Sequence, residues 1–175
     1  MSNVLYIGPY RQSDGWSQGS REYLRALSLT KHNITAQPIY LNSQTKFEKF
    51  TEFEKQERER HDVYDIIIQH TLPPFYEKFF GHRNIGLSFF ETDSLKNDWP
   101  NHISLMDQMV VCSSFEKHTL KTEGINNPIS VIPIPTDISK YRKNYITYPF
   151  FSPASQHNFK FYFISGTGIA KRGYK

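Results

Sequence analysis

The sequence holds a single cysteine, Cys112, among 175 residues. One thiol excludes a disulfide within the chain and a zinc site built on paired cysteines. Cys112 lies inside an apolar run, so a buried, inert thiol is expected. Long apolar runs are missing too: none approaches the ~20 residues that span a bilayer. No basic leader precedes the first apolar stretch, NVLYIG. The expectation is a soluble, cytoplasmic protein without a transmembrane segment, with work at a membrane surface left open. Charge of one sign is not in excess, since 21 basic residues face 17 acidic ones for a net +4. The densest charged stretch, KFEKFTEFEKQERERHD, mixes both signs. It reads as a solvated helix face, and no nucleic-acid partner is expected. No G-x-G-x-x-G, P-loop lysine pattern, nucleophile elbow or metal-ligand spacing occurs. No internal repeat or low-complexity tract stands out.

What is present is an alternation. Short β-rich apolar runs occur at 3–8, 34–41, 64–70, 84–90, 107–113 and 129–134. Between them lie segments that read as helices: SREYLRALSLTKH, the charged stretch over 44–60, PPFYEKFFG, NDWPNHISLM and SFEKHTLKTEG. The unbroken Ile66–Ile68 run suits a strand covered on both faces, as in parallel sheets. Six strands alternating with helices predict an α/β fold, a Rossmann-like doubly wound parallel sheet. VV and ISVIPI are then adjacent core strands joined by one crossover helix. After Tyr141 the periodicity stops. The expected organisation is a Rossmann-like domain over 1–143, a linker over 144–158, and the start of a second, truncated domain over 159–175. FKFYFISG, at 159–166, reads as its first strand. Left without partners, that strand is expected either to pair with the same segment of a second copy, giving a homodimer through 159–166, or to fold back on the first domain.

Ligands of such sheets gather at the carboxyl ends of the strands. Four features fall there. Gly8, Gly15 and Gly19 form a glycine-containing loop before the first helix, where backbone amides and the helix dipole favour an anion. His70 ends the third strand. Glu91 follows the fourth, where a carboxylate binds a hydroxyl or an amine, or caps a neighbouring backbone. Ser113 follows the fifth and is also a helix-cap candidate. The second strand ends YLNS, with no acid for a ribose hydroxyl, which argues against a nicotinamide dehydrogenase.

The segment GLSFFETDSLKNDWPNHISLMDQMVVCSSFEKHTLKTEGINNPISVIPIPTD resembles the second half of the N-terminal domain of group 1 glycosyltransferases. Glu91-Thr92, Trp99, Asp107, Ser113-Ser114-Phe115, Gly124, Pro128, Pro133 and Asp137 fall in the order of that family's pattern. FYFISGTGIAKRGYK resembles the opening of the family's donor domain, with Lys171-Arg172-Gly173 at its basic turn. The chain departs from the pattern at Thr167, where an arginine is common, and at Pro100, which follows Trp99 instead of preceding it. The resemblance implies a GT-B fold and a retaining enzyme that uses a nucleotide sugar as donor substrate, with no cofactor and no strict metal requirement. It implies that His70, Glu91 and Ser113 line the acceptor side of the cleft. It also implies that Gly15, Trp16, Lys171 and Arg172 lie near the donor phosphates. With most of a donor domain absent from the sequence, the expectation is a fragment inactive by itself. The alternative is a non-catalytic α/β module that binds a ligand or partner at the same rim.

Overall fold

The computed structural model describes residues 1–41, 52–96 and 98–141. The first part of the charged stretch, the linker, the strand over 159–166 and the basic turn with Lys171 and Arg172 lie outside the described residues.

Six strands form one sheet: β1 (Asn3–Gly8), β2 (Asn33–Pro38), β3 (Ile66–His70), β4 (Arg83–Leu87), β5 (Gln108–Val111) and β6 (Ile129–Val131). All five pairings are parallel, in the order β2-β1-β3-β4-β5-β6. The chain moves one way from β1 to β2 and the other way from β3 onward. The switch point therefore lies between β1 and β3. Residues 1–137 make up one compact unit; 138–175 are assigned to a second, whose described part is a 3-10 turn at Ile138–Tyr141.

Alternation along the strands sorts residues to two faces. One face carries Val4, Tyr6, Ile34, Ala36, Leu87 and Val110, packed with Tyr23 and Leu24 of helix α1 (Gly15–Ser28). The other carries Met109 and Val111, packed with Ile103 of α3 (Trp99–Ile103) and Leu120 of α4 (Ser114–Thr122). Helix α2 (Glu54–Arg58) is short. None of its residues is buried, as a solvated face requires, and among its charges Glu57 turns inward. Arg11 and Glu57 form a bidentate pair at 2.5 Å, and Phe53, just before α2, is 2 % exposed against Tyr10.

Local chemistry moves several boundaries. Helix α1 begins five residues before SREYLRALSLTKH, because the Asp14 carboxylate accepts from the Ser17 amide at 2.8 Å and caps it there. PPFYEKFFG forms only a 3-10 turn, Pro73–Phe75. Strand β6 ends once Ile132 bonds the Val111 carbonyl, because the next ladder donor, the Ser113 amide, bonds Glu116 instead and the Ile132 carbonyl accepts from Tyr23 Oη. It is an edge strand with Val131, Ile132 and Ile134 exposed, not a core strand. Gly124 ends α4 at φ +79°, the left-handed conformation that glycine adopts without a Cβ penalty.

Gly86 of β4 is required by space. A Cβ there would meet Met109 Sδ at 2.7 Å and Met106 Cγ and Tyr76 Cζ at 2.9 Å. Gly86→Ala is expected to destabilise the fold by about 1–3 kcal/mol through overpacking, read as a lower urea midpoint at unchanged m-value.

Candidate functional site at the carboxyl rim of the sheet

The strands being parallel, Gly8, His70, Ser113 and Glu91 all lie at or beyond the carboxyl ends of β1, β3, β5 and β4. They do not share one environment.

His70 is fully buried and lines no open surface. Phe89 meets its ring edge-on at 4.7 Å, and Trp16 and Tyr23 pack within 5.8 Å of it. Tyr6 Oη lies 2.6 Å from Nδ1 and also bonds Ser20 Oγ at 2.9 Å. Nε2 has no partner. Burial pushes the imidazole pKa from 6.5 down to about 3, so the ring is neutral at ordinary pH. The sequence marks its place in the chain correctly, while its burial depends on Trp16 and Phe89, which come from other elements.

Gly15 and Trp16 sit in the first turn of α1 rather than in a loop. Gly15 is exposed, and a Cβ on it would meet nothing. The Asp14 carboxylate already occupies the Ser17 amide, with the Ser17 hydroxyl at 2.7 Å. An anion at this end would meet only the Gly15 and Trp16 amides, against a negative charge.

Ser113 caps α4, accepting from the Glu116 amide at 3.2 Å. Its partner in the capping box, Glu116, is the rim residue that the sequence reading missed. The S-x-x-E spacing of Ser113 and Glu116 was the available signal. Glu116 is 3 % exposed. Its Oε1 accepts from the Phe90 amide at 3.0 Å, and its Oε2 from the Cys112 and Ser113 amides at 2.8 and 3.0 Å. One carboxylate thus ties the segment after β4 to the segment after β5. Cys112 beside it is half-buried rather than buried, and burial and the Glu116 carboxylate push its thiol up to about 11. It stays protonated at neutral pH.

Glu91 is next in the chain to Phe90. It is exposed and, among the described residues, makes no hydrogen bond or ion pair. Trp99 is core, and Asp107 accepts from the Asn84 amide at 2.7 Å and from Lys78 at 2.6 Å. Glu91 is free to meet a ligand. Among the described residues, no group of three or more His, Cys, Asp or Glu is placed to hold a metal, and no helix is long and apolar enough to cross a membrane.

Comparisons of the chain with family models, curated proteins and solved structures find no match.

The His70 shift sets a pH dependence. Between pH 6.5 and 3 the unfolded chain binds a proton that the folded chain refuses. Stability is therefore full above pH 6.5 and falls as pH is lowered, by up to about 1.4 kcal/mol per pH unit. Urea unfolding between pH 6.5 and 5, above the carboxylate range, should show this slope in the native chain and lose it in His70→Gln.

Proposed function

We propose that this chain supplies the acceptor-side half of a nucleotide-sugar-dependent glycosyltransferase that retains anomeric configuration. The all-parallel sheet supports the reading, because its carboxyl rim is where such folds present ligand-binding groups. The observation that carries it is Glu91. Within the segment resembling group 1 glycosyltransferases, Trp99 fills the core and Asp107 holds β4 to β5. Ser113 caps α4, Gly124 ends it, and the Pro128 carbonyl accepts from Met109. Glu91 has no such structural task, and it stands on a backbone fixed by Glu116.

In this reading Glu91 accepts a hydrogen bond from an acceptor hydroxyl and orients it. Ser113 stays with the α4 amide it caps, and His70 acts from below the surface by holding Trp16 and Phe89 in place. The Gly15 and Trp16 amides offer the donor diphosphate two contacts at most. The rest of its charge needs basic groups, for which the resemblance offers Lys171 and Arg172, outside the described residues. Stabilising the departing diphosphate with fixed donors is electrostatic catalysis and needs no strict metal requirement. The chain alone is then inactive.

The full-length product of the gene, assayed with a panel of nucleotide sugars, should transfer sugar with retention and keep its activity in a chelator. Glu91→Ala in that product should lower turnover about 10–100-fold, the worth of a charge-assisted hydrogen bond, at unchanged melting temperature. An inverted product, chelator-abolished activity, transfer by residues 1–175 alone, or full turnover in Glu91→Ala would each reject the reading.

A further inference from the structure

On the sheet face opposite α1, a cleft of about 560 Å³ opens at the switch point between β1 and β3. That volume is within the range of small-molecule sites. Its floor is apolar, from Leu5 and Ile7 of β1. Its far wall is the segment after β3, which is anchored. Gln69 holds Glu77 by both backbone groups, donating to its carbonyl at 2.7 Å and accepting from its amide at 2.9 Å. Pro73 and Pro74 stiffen the same wall. It presents Phe75, a 60 % exposed aromatic ring.

Among the described residues, three polar side chains line this space without partners. The Thr71 hydroxyl is on a residue only 2 % exposed and has no hydrogen bond. The Gln37 amide and the Glu77 carboxylate are exposed and unbonded. A buried hydroxyl without a partner is a cost to the fold unless something outside it supplies the bond. Among the described lining residues none is lysine, arginine or histidine. The cleft therefore lacks the cations that a phosphate or sulfate would need, and Glu77 repels such groups. An aromatic face, an apolar floor, and a hydroxyl, an amide and a carboxylate together suit a ligand with one apolar face and a rim of hydroxyls.

We propose that this cleft binds a neutral polyhydroxylated ring, of which a methyl pyranoside is the simplest probe. The inference rests on the cleft's own chemistry and does not depend on Glu91 or on sugar transfer. The test is a titration of the isotope-labelled full chain with methyl glucoside, methyl galactoside and methyl mannoside, followed by amide chemical shifts. At least one should shift Ile7, Gln37, Thr71 and Glu77 at millimolar concentration. Thr71→Val should bind it about 3–10-fold more weakly while melting at the same or a higher temperature, because the removed hydroxyl had no protein partner. Phe75→Ala should weaken binding as well. Four results would overturn the proposal: no shift from any of the three glycosides, a lower melting temperature in Thr71→Val, undiminished binding in both variants, or tighter binding of glucose 6-phosphate. Shifts confined to Glu91 and Ser113 would also overturn it, while supporting the rim reading above.

Discussion

The rim of this protein is held by one buried carboxylate. Glu116 accepts from three backbone amides, Phe90, Cys112 and Ser113, and so joins the chain leaving β4 to the chain leaving β5. The ladder between these strands ends at the Leu87–Val110 pair, with one more bond from the Ser88 amide to the Val110 carbonyl. Past that point nothing in the sheet fixes Phe90. A carboxylate this deeply buried is tolerated because its lone pairs are filled by donors that would otherwise be orphaned at a strand end and a helix start. Bonds to a charged group contribute about 1.5–3 kcal/mol each, so the tie is stronger than ordinary loop contacts. The free carboxylate of Glu91 inherits its position from it.

The end of β3 shows how one strand serves two environments. His70 turns toward α1, and Thr71 lines the cleft on the opposite face. His70 is neutral beneath Trp16 and Phe89, bonded to Tyr6. Thr71 keeps an unsatisfied hydroxyl. Strand alternation alone places successive residues in a packed core and in a cleft wall.

The sheet was legible because each strand is an apolar run bounded by turn residues, and β1 through β5 fall within a few residues of those runs. The start of α1 was not, since Gly15 and Gly19 suggest a loop, while the Asp14 cap overrides them. The rim positions of His70, Glu91 and Ser113 followed from topology. Their separate environments did not, because burial of His70 depends on Phe89 from the β4 end and Trp16 from α1. Glu116 was visible as a capping-box residue, but its reach to Phe90 is tertiary. The cleft left no sequence signal, since Gln37, Thr71 and Phe75 meet only after the strand order switches.

The most direct measurement is amide hydrogen exchange in Glu116→Ala, residue by residue. The amides of Phe90, Cys112 and Ser113 should lose protection by about 10–100-fold, the worth of one charge-assisted bond each, while Val4–Ile7 and Ile66–Ile68 keep theirs. Unchanged protection at those three amides, or an equal loss across the whole sheet, would contradict the claim that Glu116 holds the rim.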